Sequence, residues 1–107
     1  MVELAKEQDI QKAICNYLTS LGNTIATVYT AAGIYSRKGV PDIFACLKGR
    51  YLQIEVKKPG EVPTKAQEAF MDAINKCGGI AFYATSVQDV KDKLKQYDYW
   101  FRTVFML

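Results

Sequence analysis

The chain has 107 residues, a net charge of +3 and an apolar content of 50%, which is ordinary usage for one globular domain spanning residues 1–107. It contains no histidine, which excludes Ser-His-Asp and Cys-His hydrolases and histidine-ligated metal centres. No apolar run approaches the roughly 20 residues that cross a bilayer, and residues 1–10 lack the apolar segment of a signal peptide. We therefore expect a cytosolic protein with no membrane partner.

The cysteines are odd in number and widely spaced. Cys15, Cys46 and Cys77 stand in apolar patterns, which favours reduced, buried thiols that serve packing. The sequence has no Cys-x-x-Cys motif, which argues against a zinc site.

The first half of the chain predicts a helix followed by three strands. Residues 4–21 carry apolar side chains at spacings of three and four and end at a glycine, which indicates an amphipathic helix. Residues 24–30 are β-branched and aromatic, as in a strand, and a loop with two glycines and two adjacent cations follows them. Residues 42–47 and 51–56 read as two strands joined by a tight hairpin at Lys48-Gly49.

The second half adds a helix, a strand and a helix. Thr64 and Gln67 have capping-box spacing at the start of a helix that closes on a glycine pair. Residues 80–85 read as a buried strand, and Ser86 caps a third helix. The tail, residues 97–107, is strongly apolar and aromatic. The resulting order αβββαβα predicts an α/β fold around a small mixed sheet.

The hairpin has a register that its own pattern favours. Alternation assigns Ile43, Ala45 and Leu47 to the core-facing side of one strand, and Leu52, Ile54 and Val56 to that of the next. A two-residue turn at Lys48-Gly49 then places Asp42 directly opposite Glu55, with Lys57 further along the same face.

Two close carboxylates repel each other unless a cation lies between them. Oxygen ligands without histidine or thiolate favour a hard cation, Mg²⁺ or Mn²⁺. The alternative is a proline turn followed by an aspartate, next to an exposed strand that alternates Glu and Lys. Glu7 adds a third carboxylate on the apolar side of the first helix, although a solvated acid in a first helical turn is the alternative there.

The residues of this hairpin carry a family resemblance. Gly39-Val40-Pro41-Asp42, followed by Glu55-Val56-Lys57, resembles the PD-(D/E)xK nuclease signature. The preceding helix, EQDIQKAICNYLTSLG, and Thr64-Lys65-Ala66-Gln67 are similar to the VRR-NUC branch of that superfamily. The short stand-alone members of this branch occur in bacteriophages and resemble Holliday-junction resolvases. The resemblance covers residue 7 to about residue 85.

The resemblance implies a restriction-endonuclease-like αβββαβ core, with helices flanking a small mixed sheet, and a set of site residues. Asp42 and Glu55 would bind Mg²⁺ or Mn²⁺ together with the Val56 carbonyl, and Glu7 would complete the shell directly or through water. Lys57 would orient the attacking water or steady charge on the phosphate. Gln67 matches a family position, but a purely capping role is an equally good interpretation.

The chemistry that follows is hydrolysis of DNA phosphodiester bonds. We expect a metal-dependent, structure-selective deoxyribonuclease that acts on branched or junction DNA as a homodimer, encoded by a phage or a bacterium. Tyr35 is a candidate for base stacking. The candidate phosphate contacts, all expected in loops or at element ends near the site, are Arg37, Lys38, Lys48, Arg50, Lys58 and Lys65.

Three alternatives to this function remain open. The first is a sequence-specific restriction-type nuclease, for which 107 residues leave no room for a separate recognition domain. The second is a catalytically weak or inactive nuclease fold that only binds nucleic acid. The third is a structural oligomer whose charged face is merely solvated, which predicts no Mg²⁺ binding.

Overall fold

The structure, a computed structural model, describes residues 6–30 and 42–97. The elements follow the chain in the expected order αβββαβα. Their bounds are α1 Glu7–Ser20, β1 Ala26–Thr30, β2 Ile43–Leu47, β3 Arg50–Val56, α2 Lys65–Lys76, β4 Ile80–Ala84 and α3 Val87–Leu94.

The strands form a four-stranded mixed sheet in the order β1-β2-β3-β4. The first three strands pair antiparallel, and β4 pairs parallel with β3. Helices α1 and α3 on one face and α2 on the other make this an α/β, restriction-endonuclease-like fold, as predicted. Within the described ranges, no helix combines the length and apolar character needed to cross a membrane.

The β2–β3 hairpin has the predicted register. Lys48 and Gly49 have φ angles of 50° and 85°, and positive φ at both positions is the geometry of a two-residue type I′ turn. Leu47 pairs with Arg50 and Ile43 with Ile54. A slip by one residue would expose the core-facing side chains of both strands.

One face of the sheet carries the main core. Its alternating apolar side chains are buried against α1 and α3, and truncating one of them, such as Ile54, to alanine would cost about 2–5 kcal/mol. The fully buried members of this cluster are Ile14, Leu18, Ile43, Leu47, Leu52, Ile54, Val56, Ile80, Ala84, Val90 and Leu94.

Helix α2 packs on the opposite face of the sheet, against β4. Met71 is buried there, and the Asn75 amide donates to the Ala81 carbonyl over 2.8 Å and accepts from its N–H over 2.9 Å. The Lys93 ammonium of α3 donates to the carbonyl of Tyr83. These side chains cover backbone groups at the outer edge of β4, which protects that edge from pairing with another chain.

The caps of α2 and α3 also agree with the sequence. The Thr64 hydroxyl accepts from the backbone N–H of Gln67, and the Ser86 hydroxyl accepts from that of Asp89. Strand β1 begins later than predicted, at Ala26, because the amides of Ile25 and Ala26 donate to the Gly22 carbonyl in the turn that ends α1.

The thiols are free, as expected, but their predicted burial is wrong. Cys46 and Cys77 are exposed, and Cys15 is half-buried. Cys46 lies on the face of β2 that points away from the main core, and Cys77 follows the last turn of α2. Apolar neighbours in sequence therefore did not indicate a buried position.

Candidate active site

The Asp42 and Glu55 side chains meet at the open end of the hairpin. Asp42 directly precedes β2, one position beyond the Ile43–Ile54 pair. Its Oδ2 accepts a hydrogen bond from the backbone N–H of Val56 over 2.7 Å. Its carbonyl accepts from Nε2 of Gln11 over 3.1 Å, which joins the start of β2 to α1. The backbone of β3 and the side chain of α1 therefore hold Asp42 from two sides.

The Glu55 carboxyl is in an unusual electrostatic environment. The residue is only 6% exposed. Burial, and after it the charge and hydrogen bond of Asp42, raise the pKa of Glu55 to about 7, although the nearby Lys57 ammonium opposes the shift. Glu55 therefore titrates near neutral pH, and a bound cation would displace its proton.

The charges of Lys57 and Glu7 both act on the Glu55 carboxyl. Lys57 follows β3, and its backbone N–H donates to the Ala84 carbonyl over 3.0 Å. Its positive charge lowers the pKa of Glu55, whereas the negative charge of Glu7 raises it and is the weakest of the contributions. The described ranges contain no group of three or more His, Cys, Asp or Glu side chains arranged to hold a metal. Direct ligation by Glu7 thus stays a prediction.

Gln67 makes two interactions, one for each of the roles that the sequence left open, namely helix cap and site residue. Its Oε1 accepts from the backbone N–H of Thr64 over 3.0 Å, which completes the capping box. Its Nε2 donates to Oε2 of Glu55 over 3.4 Å. The residue is therefore both a helix cap and a neighbour of the carboxylate pair.

The basic side chains divide between the two ends of the hairpin. Lys58 follows β3 and Lys65 opens α2, both exposed and both on the carboxylate side. Lys48 and Arg50 flank the turn at the other end, five or six residues away, which corresponds to about 17–20 Å along a strand. Their expected proximity to the site is wrong. Asp42 and Glu55 lie at the open end of the hairpin, and the length of its strands separates them from Lys48 and Arg50 at the turn.

Arg50 has a structural role at that turn. Its guanidinium lies 5.7 Å from the centre of the Tyr97 ring, and it donates to the Gly78 carbonyl over 3.4 Å. Tyr97, the first residue of the apolar tail, packs on the core cluster. The other candidates for DNA contact, Tyr35, Arg37 and Lys38, lie outside the described residues, as do tail residues 98–107.

Two features of the site were missed by sequence reasoning. Gln11 is one helical turn after Glu7, so its approach to the hairpin follows from the same helix face. Phe44 shares the Asp42 face of β2, and its ring stacks on that of Tyr29 with centroids 6.0 Å apart. Strand alternation assigns Phe44 to the Asp42 face, so only its stacking was missed, because that depends on how β1 pairs with β2.

Comparisons with known proteins agree with this fold. A solved structure named as a VRR_NUC domain is 27% identical to this chain, with a TM-score of 0.66, and the match covers 87% of this chain and 97% of that one. A second, named as a VRR_NUC domain protein, is 20% identical with a TM-score of 0.61, and the match covers 89% of each chain. No family model and no curated protein matches the sequence.

The resemblance found in the sequence is thus confirmed in three dimensions. The likeness extends over most of the chain. The chain has the fold of the VRR-NUC domain nucleases.

Proposed function

We propose that this protein is a Mg²⁺- or Mn²⁺-dependent, structure-selective DNA endonuclease, similar in action to Holliday-junction resolvases. The observation that carries the proposal is the Asp42–Glu55 pair, in which the burial of Glu55 and the neighbouring Asp42 carboxylate raise the pKa of Glu55 to about 7. Two carboxylates that lie close together without a cation destabilise the fold. A pair that is kept in spite of this is typical of functional sites.

The donor set fits a hard divalent cation. Asp42, Glu55 and the Val56 carbonyl would supply oxygen ligands, with Glu7 as an additional direct or water-mediated ligand. Mg²⁺ commonly binds through one or two carboxylates and keeps several waters, so two carboxylates suffice. When bound, the cation would lower the pKa of a water molecule and offset charge on the phosphate.

The protein's own groups have separate tasks in this proposal. The backbone N–H of Val56 orients the Asp42 carboxylate, and the amide of Gln67 orients that of Glu55. Lys57 provides fixed positive charge beside the pair, where charge develops on the phosphate in the transition state. Lys58 and Lys65 contact backbone phosphates on the same side and position the DNA without reading its sequence.

We infer that the substrate is branched DNA and that the active form is a homodimer. A chain with one such site cuts one strand, and a four-way junction presents two equivalent strands related by two-fold symmetry. A symmetric pair of protomers would match that arrangement.

The test is a cleavage panel. Four-way junction, flap, nicked, single-stranded and plain duplex DNA are incubated with the protein in Mg²⁺, in Mn²⁺ and in EDTA. We expect cleavage of branched DNA in either metal and none in EDTA. Cleavage in EDTA, or equal cleavage of the plain duplex, would contradict the proposal.

A second candidate function is a nuclease fold that binds nucleic acid with weak or no catalysis. It is compatible with a site of only two carboxylates, since the described residues form no cluster of three or more His, Cys, Asp or Glu side chains. The same panel distinguishes the two, because binding of junction DNA without cleavage in either metal would favour the non-catalytic candidate.

A further inference from the structure

Two aromatic side chains lie together on the sheet face that carries the carboxylate pair. Tyr29 of β1 and Phe44 of β2 are cross-strand partners. Their ring centroids are 6.0 Å apart and their planes are inclined by 18°. Tyr29 is 59% exposed. We call these two residues the aromatic pair.

The fold does not use the aromatic pair as core. The main core lies on the other face of the sheet, and on the pair's own face α2 packs on β4 and reaches β3 through the contact of Gln67 with Glu55. In the described part of the chain, the β1–β2 half of this face has no helix over it. The cross-strand contact contributes about 0.2–1 kcal/mol to the sheet, and because Tyr29 is exposed while Phe44 is half-buried, the Tyr29 ring is also accessible to a ligand.

The aromatic pair is close to the carboxylates. Phe44 follows Asp42 by two residues, so it is on the same face and about 7 Å further along the strand. Tyr29 lies beside it on the neighbouring strand, about 5 Å across the sheet. A nucleotide adjacent to a phosphate held at Asp42 and Glu55 would therefore come within reach of the Tyr29 ring.

We propose that the aromatic pair stacks an unpaired nucleobase next to the cleaved phosphate and thereby selects DNA with unpaired nucleotides at that point. The inference rests on the proposed nuclease function and specifies its substrate. In intact duplex, each base is already stacked between its neighbours, so only an unpaired or extruded base can occupy the exposed ring. Stacking of a base on an aromatic side chain is worth about 1–3 kcal/mol and tolerates any sequence.

A second copy of the chain is a poorer occupant of this surface. One aromatic side chain buries about 150–250 Å², so the aromatic pair supplies clearly less than the roughly 800 Å² per partner of a stable interface. Its neighbours on the same face of β1 and β2, Thr27 and Cys46, are small or polar and do not extend the apolar area along these strands. The net charge of +3 also favours a polyanion over a second copy with the same charge.

The test measures binding to matched DNAs in Ca²⁺, used in place of Mg²⁺ to limit turnover. One DNA has a single unpaired 2-aminopurine at the branch point, and the other is the fully paired duplex of the same sequence. Four proteins are compared: wild type, Tyr29→Leu, Tyr29→Phe and Phe70→Leu. Tyr29→Phe keeps the aromatic ring. Phe70 is a matched control because it is 50% exposed but lies on α2. Melting temperature and sedimentation are recorded for each protein.

We expect Tyr29→Leu to weaken binding of the unpaired DNA by about 5- to 150-fold, the equivalent of the stacking energy, and to lose the quenching of 2-aminopurine fluorescence. Binding of the paired duplex should not change, and Tyr29→Phe and Phe70→Leu should behave as wild type. Equal affinity of Tyr29→Leu and wild type for the unpaired DNA, or equal weakening on both DNAs, would overturn the inference.

Loss of dimerisation in Tyr29→Leu would also overturn it, because the surface would then belong to a second copy. None of these results affects the nuclease proposal, provided that wild type cleaves branched DNA. A wild-type protein that neither binds nor cleaves any DNA of the panel would remove both proposals together.

Discussion

The side-chain amide of Gln67 connects the first turn of α2 to the Glu55 carboxylate. Its oxygen accepts from the backbone of Thr64, and its nitrogen donates to Oε2 of Glu55. The capping box therefore fixes the orientation of an amide that supports the buried acid. Helix stability and site geometry depend here on one side chain.

Substituting Gln67 separates these two roles when it is compared with a change at Thr64. Gln67→Ala and Thr64→Ala both break the capping box, so each should lower the free energy of unfolding by about 0.5–2 kcal/mol. Only Gln67→Ala removes the contact with Glu55, so only this variant should also lose cleavage rate. Urea unfolding and single-turnover cleavage measure the two effects. Equal rates for the two variants would show that Gln67 is only a cap.

The raised pKa of Glu55 predicts how the stability of the metal-free protein depends on pH. The pKa is about 7 in the folded chain and near the ordinary value of 4.5 in the unfolded chain, so the folded state binds more protons between these values. Stability should therefore fall as pH rises from about 5 to 7 and level off above that range. The contribution of this group is at most about 3 kcal/mol.

Urea unfolding in EDTA at a series of pH values measures this dependence. Glu55→Gln is the control, because it keeps the shape of the side chain and cannot ionise. The variant should lose this part of the decline and be more stable than wild type at pH 8. A wild-type protein whose stability changes with pH no more steeply than that of Glu55→Gln would contradict the assigned environment of Glu55.

Lys57 and its neighbour Lys58 provide a matched pair for testing electrostatic catalysis. Lys57 acts on the Glu55 charge, whereas Lys58, the next residue, is exposed and outside the strand. Lys57→Ala should reduce turnover by about 10²–10³-fold with little change in DNA affinity. Lys58→Ala should weaken affinity slightly and keep turnover at saturation. A Lys57→Ala protein that loses binding but keeps its saturated rate would make Lys57 a phosphate contact.

Much of the site could be predicted because it lies on one hairpin. The Lys48-Gly49 turn and the apolar alternation of the two strands determine the register, and the register brings Asp42 to Glu55. Both are local features, within 14 residues of chain. Because side chains alternate along β3, the hairpin also predicts that Lys57 lies on the same side of the sheet as Glu55.

The features that could not be predicted depend on contacts between elements distant in sequence. The reach of Gln67 to Glu55 requires α2 to dock on the sheet after the break at residues 58–63. The exposure of Cys46 follows from how little of its face α2 covers. Lys48 and Arg50 are close to the site residues in sequence. The strands of the hairpin nevertheless separate the turn from the carboxylates in space.

The homodimer is a further prediction, and the apolar tail is its candidate interface. Residues 97–107 are rich in aromatic side chains, which interface cores favour, although Tyr97 itself packs on its own chain. Sedimentation equilibrium should give a dimer for the full chain and a weakened dimer for a chain ending at Gln96. A full-length protein that stays monomeric at micromolar concentration yet nicks junctions symmetrically would contradict the dimer.

The most direct measurement of the central claim compares the single-turnover cleavage of a four-way junction by wild type and Asp42→Asn in saturating Mn²⁺. Asparagine can still accept from the Val56 N–H, so the variant should fold, and without the Asp42 charge its metal-free form should melt at a higher temperature than wild type. The account predicts that Asp42→Asn binds the junction but shows no detectable cleavage and no Mn²⁺ binding at the site. Cleavage by Asp42→Asn at the wild-type rate would contradict it.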